Sequence, residues 1–271
     1  MICVAGMPRS GTSLVMGLLH RCGLHLGPPE QLMPASSNNS DGFWENLRFV
    51  QLNERLLAAG GGTWFAPPMT LAATAEITAD AKSLLAQFDG QEPWGWKDPR
   101  NALTLPFWKS LLPPMKVLVC VRHPAEVASS LVASTLVPSS WPFYRSVTRP
   151  GSPIRLRNNP SRLWGAAWAT ISPRRRRELI YEVGLELWRI YNTRILEATS
   201  EGERLVTHYE AVLERPRPEL QRILAFAGMS VSAGRIEEAV GTVVPSMRHQ
   251  RASAALDPEL AALYDRLSRE T

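Results

Sequence analysis

Three short, predominantly apolar runs stand out along the chain: Ile2–Ala5, Lys116–Val121 within Met-Lys-Val-Leu-Val-Cys-Val, and Arg204–His208. Runs of this length, rich in β-branched residues, read as buried strands. Trp94-Gly-Trp-Lys97 is a candidate fourth. Between them, helix-length patterns cover Thr12–Cys22, Trp44–Ala59, Ile77–Phe88, Pro124–Ser134, Leu163–Ile171, Glu178–Ala198, Pro218–Ala227 and Pro258–Arg269. Strands alternating with helices predict crossover connections and a mostly parallel central sheet. Because the strands are continuously apolar, both faces of the sheet should carry helices, giving a three-layer α/β domain.

Two stretches break this rhythm. Gly23–Gly42 is rich in Pro, Asn and Ser, and Val137–Pro160 carries five prolines with Arg145, Arg149, Arg155 and Arg157. Long irregular loops in a compact domain are usually lids or binding segments, and ligands bind beyond the C-terminal ends of parallel strands. The 137–160 stretch is therefore expected to be a flexible or substrate-gating loop within a single domain spanning 1–271.

Composition narrows the classes. No apolar run approaches the roughly 20 residues of a membrane span. No charged leader and apolar h-region precede the first strand, so no secretory signal is expected. Cys3, Cys22 and Cys120 show no metal-ligand spacing and read as buried reduced thiols, which with the missing signal predicts a cytoplasmic protein. The net charge is +5 and nearly all the cations are arginine, the lysines being Lys82, Lys97, Lys109 and Lys116. Arginine suits bidentate recognition of phosphate and sulfate oxygens, although coding bias yields the same composition. No recognition helix interleaving basic and aromatic residues is present, so nucleic acid is not an expected partner.

Chemistry concentrates first behind the initial strand. Gly6-Met-Pro-Arg9-Ser10-Gly11-Thr12-Ser13 turns a strand into a helix with the glycine spacing of a phosphate-binding loop. Where that pattern requires lysine for the β and γ phosphates, the chain has Thr12, and its cation stands earlier, at Arg9. The loop is thus suited to a nucleotide without a triphosphate. A second segment, Val117-Leu-Val-Cys-Val-Arg122-His-Pro124, ends a strand on arginine and starts a helix on proline, with Ser130 two turns on. Arg122 and Ser130 are placed to close on one anionic group.

Together, Met7-Pro-Arg-Ser-Gly-Thr-Ser13 and Arg122 to Ser130 resemble the 5′-phosphosulfate loop and the 3′-phosphate motif of sulfotransferases that use 3′-phosphoadenosine 5′-phosphosulfate (PAPS). Gly42-Phe-Trp-Glu45-Asn46, Trp94-Gly-Trp-Lys97-Asp98-Pro-Arg100 and His208-Tyr209-Glu210 resemble blocks of bacterial members of that superfamily. The resemblance runs from residue 2 to about 230. It implies a P-loop-like fold and transfer of a sulfuryl group from PAPS to an acceptor hydroxyl, leaving 3′,5′-ADP (PAP), with no metal required. Arg9, Ser10, Gly11, Thr12 and Ser13 would hold the 5′ end of the donor, and Arg122 and Ser130 its 3′-phosphate. A late basic segment, Met247–Arg251, would bring Arg248 or Arg251 to that phosphate.

In-line attack by a hydroxyl calls for a base near the cradle. Glu45, flanked by aromatics at a loop-to-helix junction, is the first choice, with Glu30, Asp98 and His123 as alternatives. Lys97 or Arg100 would assist Arg9 at the leaving group, although Lys97-Asp98-Pro99 also reads as a local ion pair at a turn. Trp44, Trp64 and Trp141, in or beside loops, are acceptor-site candidates, whereas Trp164, Trp168 and Trp188 lie at helical spacings and read as core. Arg174–Arg177 reads as a solvated cluster just before a helix. Glycan, lipid and small-molecule acceptors all fit this pattern, and nothing in the sequence sets the oligomeric state. A P-loop small-molecule kinase and a non-catalytic nucleotide-binding module are the competing readings.

Overall fold

The apolar runs become strands where the pattern places them: β1 (Ile2–Ala5), β2 (Gly95–Lys97), β3 (Lys116–Val121) and β4 (Arg204–His208). The computed structural model describes residues 1–34, 42–134, 172–244 and 255–270. The strands form one parallel sheet in the order β2-β1-β3-β4. Register brings their C-terminal ends level, with Val4 opposite Lys97, Ala5 opposite Val119, and Val121 opposite His208. Gly6, Asp98, Arg122 and Tyr209, each the next residue after its strand, therefore emerge along one edge.

Alternate strand residues feed two cores, as the two-residue period of a strand requires. Ile2, Val4, Leu118 and Cys120 pack with α1 (Thr12–Arg21) on one face. Cys3, Ala5, Val117, Val119 and Val121 pack on the other with α2 (Leu47–Ala59), α3 (Ala75–Ala86), α4 (Asn101–Leu111), α5 (Pro124–Ala133) and α6 (Pro173–Ala198). After β4 come α7 (Tyr209–Glu214), α8 (Pro216–Ala227) and α9 (Ala233–Val240) on the α1 face, then α10 (Pro258–Ser268) on the opposite one. The helices that follow neighbouring strands β1 and β3 thus leave on opposite faces. That reversal opens the crevice where such sheets bind ligands.

Several boundaries differ from the sequence pattern for identifiable reasons. Helix α2 starts at Leu47, not Trp44, because Asn46 caps it by accepting from the Arg48 N–H at 3.0 Å and Trp44 has a left-handed φ of 59°. Helix α6 starts at Pro173, so Arg174–Arg177 lie in its first turns rather than before it. Cations there oppose the helix dipole, and Arg174 and Arg175 answer by pairing with Glu178 at 3.0 and 3.2 Å. Helix α4 escaped the pattern because it is buried nearly all round and carries Pro106 internally, so no amphipathic stripe shows. Within Gly23–Gly42 a short 3₁₀ turn forms at Pro29–Gln31. The stretch 137–160 and the helix expected at Leu163–Ile171, with Trp141, Trp164 and Trp168, lie outside the described residues. Trp188 is fully buried, as its spacing predicted, and Cys3, Cys22 and Cys120 are buried free thiols.

The face behind β2 is an aromatic stack. Phe49 lies parallel to Trp96 at 4.9 Å, Trp94 to Trp96 at 5.7 Å and Phe88 to Trp94 at 4.6 Å between ring centroids. Such pairs contribute about 0.5–1.5 kcal/mol each beyond area burial. They make a stiff wall behind the residues that leave β2.

Candidate active site

The loop after β1 is built on two glycines. A Cβ at Gly6 would stand 2.5 Å from the Cys120 carbonyl oxygen, and one at Gly11 (φ 86°) 2.5 Å from Tyr209 Cδ2. Only glycine lets the loop lie this close to β3 and to Tyr209. Arg9 also has a left-handed φ, 74°, a conformation that costs a non-glycine residue about 1–2 kcal/mol. Helix α1 then begins with no side-chain cap and no acid in its first turn. Such an end offers its first N–H groups and its dipole to an anion. Ser10 is buried and, among the described residues, its Oγ has no hydrogen-bond partner.

Across the crevice, Arg9 Nε donates to Ser130 Oγ at 2.9 Å, joining the loop after β1 to the helix after β3. Arg122 is buried beside it. Its Nε donates to Glu126 Oε2 at 2.9 Å, and its guanidinium carbon lies 4.5 Å from the centre of the Tyr209 ring. Its carbonyl accepts from Trp188 Nε1 at 2.9 Å. Burial, then the neighbouring Arg122, pushes Arg9 below the usual arginine range. Two guanidiniums forced together in a buried crevice form a site that favours an anion.

On the β2 side the charges close on one another. Lys97, 1 % exposed, donates through Nζ to Glu45 Oε1 at 2.7 Å and to the Phe43 carbonyl at 2.9 Å. Burial raises Glu45 above the ordinary carboxylate range, against the pull of Lys97. Asp98 is fully buried and accepts from Asn53 Nδ2 at 2.8 Å and from the Arg100 backbone N–H and Nη1 at 2.9 and 3.0 Å. Asn53 and Asn101 extend this network to Thr104, Trp108, Trp96 and the Val4 carbonyl. It ties α2 and α4 to the end of β1 and fixes the floor beneath Lys97.

The sequence candidates therefore fall into two groups. Arg9, Ser10, Gly11, Thr12, Ser13, Arg122 and Ser130 meet around the β1–β3 crevice, and Glu45, Lys97 and Asp98 meet beside β2. Glu30 is exposed on the 3₁₀ turn. His123 caps α5, its Nδ1 accepting from the Ala125 N–H at 3.3 Å, and its ring meets Tyr264 edge-on at 5.0 Å. Arg248 and Arg251 lie outside the described residues. Trp64 gives its carbonyl to the Tyr191 hydroxyl at 2.7 Å, and Trp44 packs on α1 rather than standing clear of the fold. The pattern missed Glu126, the buried carboxylate four residues after Arg122, and Tyr209, which touches both Gly11 and Arg122. The i,i+4 spacing on a helix beginning at Pro124 was the available signal for Glu126. Among the described residues no His, Cys, Asp and Glu side chains gather as metal ligands, and no helix is long and apolar enough to cross a membrane.

The family described as the Sulfotransferase family matches residues 2–233. No curated protein matches the sequence. Among solved structures, the sulfotransferase domain of the Synechococcus PCC 7002 olefin synthase superposes with a TM-score of 0.54 at 17 % identity, covering 98 % of this chain and 94 % of that one. The sulfotransferase domain from the curacin biosynthetic pathway gives 0.53 at 17 %, covering 99 % and 97 %. Sulfotransferase STF9 from Mycobacterium avium gives 0.50 at 15 %, covering 98 % and 75 %. At these identities the structural likeness shows a shared fold.

Proposed function

This chain belongs to the sulfotransferase family, and from that premise we propose that it moves a sulfuryl group from PAPS to an acceptor hydroxyl, releasing PAP. The observation that carries the donor assignment is the Arg9 Nε to Ser130 Oγ bond of 2.9 Å across the crevice. It joins the loop suited to a 5′-phosphosulfate to the motif suited to a 3′-phosphate. The residues present fit such a donor: the Ser10 hydroxyl is buried with no partner among the described residues, α1 is uncapped, and two arginines share the crevice.

PAPS supplies a sulfuryl group activated by its phosphosulfate linkage. Arg9 and the backbone of Ser10 to Ser13 would hold the 5′ end, where charge builds as the leaving group departs. Arg122, Ser130 and Arg248 would hold the 3′-phosphate. Tyr209 holds Arg122 through the face of its ring, and Glu126 holds the same guanidinium through Nε. Glu45 is the general base: burial raises its affinity for a proton, and the two bonds of Lys97 hold it in place. Lys97 would assist Arg9 at the leaving group, and Asp98 holds Arg100 and the loop after β2 in place. The acceptor is a hydroxyl compound of the glycan, lipid or small-molecule class.

The test is release of PAP from PAPS in the presence of oligosaccharide, phenolic and lipid-alcohol acceptors. Stimulation by one class above the acceptor-free rate supports the proposal and identifies the acceptor. Phosphoryl transfer from ATP to the same compounds contradicts it.

A further inference from the structure

Among the described residues, two that are not glycine have a left-handed backbone: Arg9 in the phosphate loop and Trp44 (φ 59°) in the segment before α2. Trp44 is only half-buried, whereas Trp96, Trp108 and Trp188 are buried on regular strand and helix backbone. What the conformation achieves is visible on either side. The Phe43 carbonyl and the Glu45 carboxylate, the groups on either side of this turn, both meet Lys97 Nζ, at 2.9 and 2.7 Å.

The anchor that holds Trp44 there is helix α1. Gly17 leaves a notch shared by the indole and the Arg21 guanidinium, and a Cβ at that position would lie 2.9 Å from both Trp44 Nε1 and Arg21 Nη1. His20 and Arg21, on the next turn, meet the same ring at 4.9 and 5.6 Å. The chain beyond Trp44 is tied to the segment that follows α1: the Glu45 carbonyl accepts from the Met33 N–H at 2.7 Å, and Asn46 Nδ2 donates to the Leu26 carbonyl at 3.1 Å. We propose that Gly17 and Trp44 are positioning residues that turn Glu45 onto Lys97, so that the helix carrying the phosphate loop also sets the orientation of the base. The catalytic meaning of this link rests on Glu45 being the base, whereas the link itself can be read without turnover.

The chain has four lysines, Lys82, Lys97, Lys109 and Lys116, so protein labelled with ¹³C at the lysine ε carbon gives a spectrum in which Lys97 is readily followed. Glu45→Gln marks the position its signal takes when the carboxylate is lost. Gly17→Ala and Trp44→Ala are expected to move the Lys97 signal at least half of that distance, while affinity for 3′,5′-ADP stays within about two-fold. Trp44→Phe, which keeps a ring in the notch, should restore most of the wild-type position. A purely structural role makes the opposite prediction for Gly17→Ala, because alanine is the better helix former. A Lys97 signal unmoved in Gly17→Ala overturns the inference, and that variant decides alone if Trp44→Ala does not fold. Failure of the wild-type protein to bind 3′,5′-ADP would count against the proposed function and leave the Lys97 result standing.

Discussion

The two halves of the site handle charge in opposite ways. Around the β1–β3 crevice, Arg122 is paired with Glu126, but Arg9 meets a hydroxyl rather than a carboxylate and stands beside Arg122, next to an uncapped helix. Beside β2, Lys97 is paired with Glu45, and Asp98 with Arg100, within bonds of 2.7 to 3.0 Å. The first arrangement asks for an anion and the second does not. On the proposed function, a donor bearing phosphates would lie in the crevice, and an uncharged hydroxyl that must give up a proton would lie against Glu45.

Separating the two halves by mutation gives the largest expected effect. Glu45→Gln should lower kcat by about 10²–10⁴-fold while 3′,5′-ADP affinity changes little, because the base is removed and the cradle is not. A comparable loss of 3′,5′-ADP affinity would show that the halves are not separate. Arg122→Ala should do the reverse, abolishing measurable 3′,5′-ADP binding. It also breaks the buried Arg122–Glu126 ion pair, a change that typically costs about 3–5 kcal/mol in chemical denaturation. Pairing it with Glu126→Gln should recover part of the stability and none of the binding.

Acidity sharpens the contrast. Because burial raises Glu45, the activity of the β2 half should climb as pH passes a midpoint above the roughly 4.3 of a free glutamate. The same shift lowers stability as pH rises through that midpoint, and Glu45→Gln should remove this dependence. His208, at the end of β4, is shifted the other way, since burial disfavours its charged form. Its contribution is present above the unfolded value of about 6.5 and is lost as pH falls towards the folded one, so the melting temperature should drop on acidification. A His208→Asn variant should show a shallower drop. The smallest effect belongs to Arg174→Ala: that side chain is 92 % exposed on α6, and 3′,5′-ADP affinity should be unchanged.

The crevice was legible in the sequence because its logic is local. A strand, a glycine turn and a helix follow one another between Ile2 and Arg21, and a strand, an arginine and a proline-started helix between Lys116 and Ala133. The β2 half was legible only as a set of suspects. Glu45 and Lys97 lie 52 residues apart, and Asn53, Asp98 and Asn101 join through a network that no spacing announces. Each residue of that network is an ordinary helix or turn residue until the fold brings them together. Tyr209 shows the same limit, since its contacts with Gly11 and Arg122 come from three strands meeting at one edge.

On the proposed function, the crevice holds a nucleotide with a 3′-phosphate and no triphosphate. Calorimetric titration with 3′,5′-ADP, ATP and 5′-AMP, each with and without Mg²⁺, tests it directly. Binding of 3′,5′-ADP is expected to be micromolar, independent of the metal and tighter than that of both other nucleotides. Preference for ATP with Mg²⁺ would contradict it in favour of a kinase, and no binding of any of the three would reduce the loop to a structural turn.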